Sequence, residues 1–370
     1  MIALREMTRA KVRFGLLIGS IALLVFLILF QQALRDGLLT SFVGAIEHQS
    51  APVLVFSTDA RRSLQGSTIT PELESTVRGV DGVGAVGRIG QSTFSVRADG
   101  RIQGAAVIGY ERRALGAPVE LVAGRYPTGE GEAVANETDA DNGFAIGDVV
   151  RVEPGGAPIT IVGQARDTNL QASPTLFVRY GTWEQALAAA NPDAGTPLPN
   201  ALGIAPAPGV SDAELVRRVN ATTPDLEALT RADAAAKSPG VAQVSRSFLL
   251  IFLLYGLVVP LVIGLFFLIL TVQKTRTLTL LRAIGARQRT LVRALMLQVI
   301  VVVGLGVGIG AALYAPVSQQ RVGSIPLRFD LVAVLGWGAL ILVLGAVSAL
   351  FAARRIAGIE PAEALGGGAA

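Results

Sequence analysis

The amino-acid sequence predicts a membrane protein with four transmembrane α-helices and a large α+β extracytoplasmic domain inserted between helices 1 and 2. The first observation is composition: of 370 residues, 51% are hydrophobic and 16% are charged, and the mean hydropathy is +0.53. Soluble domains carry about 25% charged residues. The second observation is that apolar residues are concentrated in four long runs. The third is that residues 35–246, which are mostly polar, separate the first run from the other three.

Each of the four runs lacks Asp, Glu, Lys, Arg and His and is long enough for a helix across a bilayer core of about 30 Å. The runs are Phe14–Leu34, Ser247–Gln273, Ala294–Gln320 and Leu331–Ala353. A cleaved secretory signal is an alternative for the first run, but its apolar core is longer than the about 7–15 residues of such signals. No small-x-small cleavage site follows it. We therefore expect residues 1–34 to be a cytoplasmic segment and a retained first helix.

Basic residues predict the orientation, because Lys and Arg concentrate in cytoplasmic loops. Four precede the first run, six lie in residues 274–293, and Arg354 and Arg355 follow the fourth run. Both termini, the 274–293 loop and the 354–370 tail should therefore be cytoplasmic, and residues 35–246 extracytoplasmic. The domain is net acidic, so the pI of about 9.7 reflects topology and no nucleic-acid partner is expected.

Several chemistries are excluded by residue counts. The chain has no Cys and one histidine, His48, which excludes disulfides, thiolate metal sites, two-histidine metal sites and a Ser-His-Asp triad. None of its three lysines follows a glycine, so it has no GxxxxGK[ST] phosphate loop. None of the four runs contains an ionisable residue of the kind that ion-coupled transporters use. We expect a non-catalytic chain that binds no cofactor or metal and receives energy from elsewhere.

The inserted domain should mix helices and strands. An amphipathic helix at Asp36–Ser50 continues the first span, and with the start of the second span it forms an outward stalk. Strands are predicted by β-branched runs and turn signals, and helices by Pro71 and by a capping box at Ser211. The predicted elements are strand Val53–Ser57, helix Pro71–Val80, hairpin Thr93–Ala98 with Ile102–Ile108, hairpin Val149–Glu153 with Ile159–Val162, strand Leu176–Tyr180, helix Trp183–Ala190, a loop over 191–200, and a helix ending at Val219.

Two features of the domain could suggest a binding or switching role. The acidic run over 130–141 contains Glu130, Glu132, Glu137, Asp139 and Asp141. Its glycine and glutamate spacing does not match a calcium-binding EF-hand loop, so a solvated acidic loop is favoured. His48 follows Glu47 on the expected stalk, where a solvated or interfacial residue is favoured over a pH switch.

The third span carries glycines at every second position. Gly304, Gly306, Gly308 and Gly310 resemble half of a dinucleotide-binding fingerprint, but they lie inside an apolar span. Two GxxxG pairs in such a span favour close helix packing. Pro260 in the second span predicts a kink.

The loop between the second and third spans is the most informative segment. Leu278, Leu281 and Ile284 recur at helical spacing among basic residues, and Gly285 interrupts them. This pattern predicts a helix, a bend and a second short helix against a partner; the alternative is a basic loop that lies at the lipid headgroups. The run Leu280, Leu281, Arg282, Ala283, Ile284, Gly285, Ala286, Arg287 resembles the corresponding loop of the FtsX/MacB-like permease family of ABC transporters.

Further motifs follow the same family in the same order. They are Gly124-Arg125, Gly129-Glu130, Ile146-Gly147-Asp148, Thr160-Ile161-Val162-Gly163 and, in the tail, Pro361 to Leu365. One departure is Arg276-Thr277-Leu278-Thr279, where family members often have Arg-Glu-hydrophobic-Gly. With the topology, the resemblance covers nearly the whole chain.

The resemblance implies a type VII permease in the bacterial cytoplasmic membrane. Two permease copies, identical or different, would each dock through residues 280–287 on one copy of a separate cytoplasmic ATPase, which would hold ATP and Mg. Closure of the ATPase dimer would move the extracytoplasmic domain, with or without an adaptor, to export a substrate. The alternative is an FtsX-like regulator of an extracytoplasmic cell-wall hydrolase, without transport. A membrane-anchored enzyme is a poor third hypothesis, because no serine–lysine or paired-carboxylate motif is recognisable. Membrane lipids are expected contacts in every case.

Overall fold

The computed structural model describes residues 11–193, 195–273, 288–322 and 325–357, which form two compact units. The membrane unit comprises the chain up to Arg35, Arg246–Val322 and the chain from Pro326 onward, and the domain unit comprises Asp36–Ser245. Among the described residues, four helices are long and apolar enough to cross a membrane. An α+β domain lies between the first and the second of them, so the predicted fold class is confirmed.

The helices and strands of the described residues are as follows. The helices are α1 Lys11–Glu47, α2 Pro71–Arg78, α3 Tyr180–Ala190, α4 Asp212–Thr222, α5 Arg231–Lys237, α6 Val241–Gln273, α7 Gln288–Val317 and α8 Leu331–Ala357. The strands are β1 Val53–Ser57, β2 Val83–Ala98, β3 Arg101–Tyr110, β4 Leu121–Gly124, β5 Glu132–Asn136, β6 Val149–Glu153, β7 Ala157–Ala165, β8 Thr175–Arg179, β9 Ala201–Pro206, β10 Leu226–Thr230, β11 Arg321–Val322 and β12 Ile325–Pro326.

Helix α1 forms the centre of the membrane unit. Five of its apolar side chains, spaced three or four residues apart, are almost fully buried: Phe14, Leu17, Ile21, Val25 and Ile28. They belong to one apolar cluster with residues of α6, α7 and α8, which surround this face. Leucines of α6, by contrast, are largely exposed. A continuous exposed apolar surface of this size is what a lipid environment solvates.

The ends of the membrane helices can be matched by their contacts. Arg13 Nη1 donates a hydrogen bond of 2.5 Å to Gln273 Oε1, so the start of α1 and the end of α6 lie at the same end of the unit. Tyr314, near the end of α7, contacts Phe26 edge-on with ring centroids 6.3 Å apart. Phe26 lies about 20 Å along α1 from Arg13 at 1.5 Å per residue. Helix α7 therefore runs away from the end that carries Arg13 and Gln273.

The helix bounds differ slightly from the uncharged runs. Helix α1 continues past the first run to Glu47, three residues short of the predicted Ser50, and α7 ends at Val317 rather than at Gln320. Helix α6 is a single helix that contains Pro260. A proline in a helix removes one backbone hydrogen bond, and this cost is tolerated inside an apolar span.

The domain unit is built on a ten-stranded sheet with the order β10-β1-β9-β2-β3-β8-β5-β7-β4, and β6 pairs with β2 and β7. The sheet contains two β-α-β units, β1-α2-β2 and β9-α4-β10. Their strands alternate in the sheet: β9 lies between β1 and β2, and β1 lies between β9 and β10. The strands β3 to β8 and helix α3 are inserted between these two units.

Three apolar clusters hold the sheet. Helices α2 and α4 cover β1, β9 and β10 through a cluster that contains Val77, Leu215 and Val219. Helix α3 covers the inserted strands through Trp183. A third cluster joins the sheet to Val43 and Ile46 of the last turns of α1 and to α5.

Most predicted domain elements are confirmed within a few residues. Strand β1, the second half of β2 in its hairpin with β3, the β6–β7 hairpin, and helices α2, α3 and α4 lie where the sequence predicted them. Ser211 caps α4 by accepting from Glu214 N at 3.2 Å, and Thr70 caps α2 by accepting from Leu73 N at 3.3 Å. Tyr180 begins α3 rather than ending β8. Strands β4, β5, β9 and β10 and helix α5 were not predicted.

Strand β2 corrects the largest error of the sequence prediction. It begins at Val83, ten residues before the predicted Thr93. Its first half contains three glycines, which lower the strand signal. The tertiary structure explains Gly90, because a Cβ there would lie 2.5 Å from the Trp183 ring.

Candidate functional sites

The predicted coupling segment Leu280–Arg287 lies outside the described residues, as does the predicted tail motif from Pro361. The structure describes its two flanks, the end of α6 at Gln273 and the start of α7 at Gln288. Both flanks adjoin the end of the membrane unit at which Arg13 contacts Gln273. A docking role for residues 280–287 therefore stays a prediction. The structure shows only that the segments on either side of it lie at this end of the membrane unit.

The glycine row of α7 divides into two pairs. A Cβ on Gly306 would lie 2.5 Å from Ile21 Cγ2, and a Cβ on Gly310 would lie 2.6 Å from the carbonyl oxygen of Ala22. These two glycines let α7 approach α1 closely. A Cβ on Gly304 or on Gly308 would have no described atom within 4 Å. Within the described residues, close packing against another helix is therefore confirmed for Gly306 and Gly310 only.

The acidic run is not a solvated loop, which corrects the prediction. Glu132 begins β5 and pairs with Arg125, and Glu137 pairs with Arg166 at 2.8 Å. The Arg125 hydrogen bonds hold the pKa of the Glu132 carboxyl well below its ordinary 4.5. Asp139 is almost fully buried in a short 3-10 turn after β5. The run was misread because the arginines that pair with it come from other strands and loops.

No metal site emerges from the described parts of the chain, in which no three His, Asp or Glu residues are grouped so as to hold an ion. His48 follows the last residue of α1 and is half-buried, and its Nδ1 lies 3.1 Å from the carbonyl oxygen of Gly44. Its backbone carbonyl accepts from Val119 N. These contacts make His48 part of the junction between α1 and the domain sheet.

The domain contains a cavity of about 460 Å³ that the sequence did not predict. Its lining residues come from four separate segments: Gln65, Gln91, Ser92, Thr93, Phe94, Trp183, Leu187, Ala190, Pro197, Leu198 and Asn200. None of these residues is charged. A volume of this size is within the about 300–1,000 Å³ typical of ligand sites. No sequence signal could have found the cavity, because only the fold brings the four segments together.

Two side chains that line the cavity are held by hydrogen bonds. Trp183 Nε1 donates to Ser92 Oγ at 3.1 Å, which fixes the indole against β2. Asn200 Oδ1 accepts from Gln91 N at 2.6 Å, and its Nδ2 donates to Ser67 O at 2.9 Å. The side-chain amide of Gln91 is different: it is buried, and neither its oxygen nor its nitrogen has a hydrogen-bond partner within the described residues.

Comparison with protein families matches residues 247–361 to the C-terminal domain of FtsX-like permeases. This segment contains the second, third and fourth membrane helices and the loop between the second and third. The match thus covers the part of the chain on which the loop resemblance was based.

Full-length relatives are found among staphylococcal proteins. A protein of Staphylococcus epidermidis, provisionally named the hemin transport system permease protein HrtB, is 22% identical over 371 residues, which is 99% of each chain. A protein with the same name from Staphylococcus haemolyticus is 22% identical over 367 residues, again 99% of each chain.

Solved structures similar to this chain include two extracytoplasmic regions. The periplasmic region of MacB from Actinobacillus actinomycetemcomitans has a TM-score of 0.37 and 15% identity, and the match covers 50% of this chain and 92% of that one. The extracellular domain of the ABC-type transporter YknZ from Gram-positive bacteria has a TM-score of 0.34 and 16% identity, covering 48% of this chain and 99% of that one.

Proposed function

We propose that this chain, an FtsX/MacB-like ABC permease, is the membrane subunit of an exporter driven by a separate ATPase. The observation that carries the proposal is that two unbroken helices belong to both units. Helix α1 spans Lys11–Glu47 and α6 spans Val241–Gln273, whereas the units divide at Arg35 and at Ser245. Helix α1 is about 55 Å long at 1.5 Å per residue. A displacement at one end of such helices is passed along them.

We expect the partner ATPase to act on the end of the membrane unit at which Arg13 contacts Gln273. The two side chains couple the start of α1 to the end of α6, immediately before the 274–293 loop. A partner that moves this loop would therefore move both helices that continue into the domain. The basic residues of the loop support a cytoplasmic location for this end.

The energy must come from the partner, because this chain lacks a phosphate loop and its spans lack Asp, Glu, Lys, Arg and His. We propose that ATP and Mg bind the partner ATPase, that residues 280–287 dock on it, and that two permease copies assemble with two ATPase copies. This chain would be non-catalytic, and residues 35–246 would be extracytoplasmic.

The names of the staphylococcal relatives make hemin the first substrate to test. Hemin combines a large apolar ring with carboxylates, so it accumulates at membrane surfaces. A permease that takes its substrate from the membrane surface needs no ion pathway through its spans, and these spans contain no Asp, Glu, Lys, Arg or His. We therefore propose export of an amphipathic substrate of the hemin class.

The test reconstitutes the full chain in proteoliposomes with a co-expressed ABC ATPase. We expect ATP hydrolysis that rises on assembly and ATP-dependent movement of hemin, and both should be lost with an ATPase variant that binds but does not hydrolyse ATP. Failure to assemble with the ATPase contradicts the proposal. Assembly with stimulated hydrolysis, no hemin movement and capture of a cell-wall hydrolase by the domain would favour the regulator instead.

A further inference from the structure

Strand β2 has an interruption in the pairing of one edge. Along that edge, Ile89 is the last β2 residue paired with β9, and Ser95 is the first paired with β6. The other edge is paired with β3 continuously from Ile89 to Ala98. Within the described residues, the stretch between Ile89 and Ser95 therefore has no strand partner on the first edge. An unpaired stretch in the middle of a long strand presents main-chain donors and acceptors to an incoming chain.

The direction of the unpaired groups follows from the neighbouring hydrogen bonds. Asn200 N donates to Ile89 O, and Gln91 N donates to the side chain of Asn200. Main-chain groups of alternate residues point to the same edge of an antiparallel strand. The carbonyl of Gln91 and both the N–H and C=O of Thr93 therefore point into the gap. An extended chain could lie antiparallel to β2 in this gap, as β9 and β6 do on either side of it. One residue of that chain would pair with Thr93.

The cavity of about 460 Å³ lies at this gap and provides room for side chains. Phe94 and Trp183 form an aromatic wall on one face of β2, next to Leu187, and Leu198 lies on the neighbouring loop. The Gln91 side chain lies on the opposite face of β2 from Phe94, and its amide atoms are buried, so a ligand in the cavity contacts Gln91 only through its main chain. Because no charged residue lines the cavity, a charged ligand would lose its hydration without gaining an ion pair.

We propose that this gap, the β2 edge site, binds a short uncharged peptide segment in extended conformation. The residue that pairs with Thr93 would hydrogen-bond to its main chain, and the two neighbouring residues of the segment would place apolar side chains against Phe94 and Trp183. Addition of a strand to an unpaired edge is an established mode of peptide recognition. The occupant would belong to a partner protein outside the membrane, and the site does not require that the chain exports a substrate.

The test uses the full chain in lipid nanodiscs with Trp337→Phe, which leaves Trp183 as the single tryptophan. The probe is the blocked peptide acetyl-Thr-Val-Leu-Val-Thr-amide, and Trp183 emission is the signal. We expect a saturable change that empty nanodiscs do not give. The same peptide with an N-methyl group on the central leucine lacks the N–H that pairs with β2, and a peptide with lysine in place of both valines carries charge on the face of Phe94 and Trp183. Both should bind about tenfold more weakly or worse, the loss expected when a buried partner goes unpaired.

Two variants complete the test. Leu198→Asp adds a carboxylate at a loop side chain that is 39% exposed, so the variant should still fold, and it should weaken peptide binding. Thr93→Val changes an exposed side chain but keeps the main chain, so it should bind as the parent does. No saturable signal, equal binding of the N-methyl peptide, or unchanged binding by Leu198→Asp would each overturn the proposal.

Discussion

Gly310 of α7 faces the backbone of Ala22 in α1, so closely that a Cβ at Gly310 would lie 2.6 Å from the Ala22 carbonyl oxygen. A Cβ at Gly308, which precedes it on the same helix, would have no described atom within 4 Å. The two glycines share a motif but not an environment. One is required by packing within this chain, and the other is available to lipid or to a second chain.

Gly310→Ala should therefore destabilise the membrane unit, whereas Gly308→Ala should not. Forcing a methyl group against backbone costs about 1–3 kcal/mol, because the helices must separate. The measurement is the thermal midpoint of each full-length variant in the same detergent, where Gly310→Ala should unfold several degrees lower. Equal midpoints for the two variants would show that α1 and α7 are not in this contact.

Gly109 and Gly104 of β3 make a second matched pair. A Cβ on Gly109 would lie 2.5 Å from Trp183 Cβ and 3.3 Å from the Tyr180 backbone, whereas nothing lies within 4 Å of one on Gly104. Gly109→Ala should cost about 1–3 kcal/mol of stability by displacing α3. Gly104→Ala should be neutral or stabilising, because alanine has less backbone entropy to lose than glycine. Denaturant melts of the two variants check this, and a destabilised Gly104→Ala would contradict it.

Glu74 predicts a pH dependence of stability. Burial raises the pKa of its carboxyl, but hydrogen bonds from Arg78 and Arg88, at 2.6 and 2.9 Å, outweigh burial, and the pKa lies below its ordinary 4.5. A group with a lowered pKa in the folded state stabilises the fold above pH 4.5, and this contribution disappears as the pH falls through the lowered value.

Glu74→Gln should accordingly lower stability at pH 7 and lose this disadvantage at acidic pH. Both arginines are exposed, so screening limits the difference to about 1 kcal/mol. The measurement is the difference in melting temperature between wild type and variant at pH 7 and at pH 4. Asp193→Asn, at an exposed position, is the control and should show no such change. A difference that does not depend on pH would show that Glu74 contributes only through packing.

Under the proposed docking of residues 280–287 on a partner ATPase, Ile284→Asp should uncouple the permease from that ATPase. The residue lies in the segment 280–287 that resembles the family's coupling loop, and a carboxylate in an apolar docking contact loses its hydration. We expect loss of permease-dependent ATP hydrolysis with unchanged membrane insertion and melting. Thr277→Asp places the same charge in the same loop outside that segment and should keep coupling. Normal hydrolysis with Ile284→Asp would remove residues 280–287 from the docking surface.

The membrane half of this fold could be predicted from sequence because lipid imposes one simple requirement. A span must be a long uncharged helix, so each run, such as Leu331–Ala353, is visible without knowledge of its neighbours. Within the domain, β1 and the Asp99-Gly100 hairpin were predictable because local turn and β-branched signals are strong there. The first half of β2 was not predictable. Its glycines Gly84, Gly87 and Gly90 weaken the strand signal, and the reason for them is close contact with residues that are distant in sequence.

The sequence by itself determined the number of spans, the inserted domain and the absence of a phosphate loop, because these depend on residue type and run length alone. The tertiary structure decided which glycines of α7 pack against α1, that Glu132 and Glu137 pair with arginines, and that Gln91 and Trp183 line one cavity. Each of these depends on the distance between residues far apart in the chain. That distance is set by strand order and helix packing, which no local pattern of residues encodes.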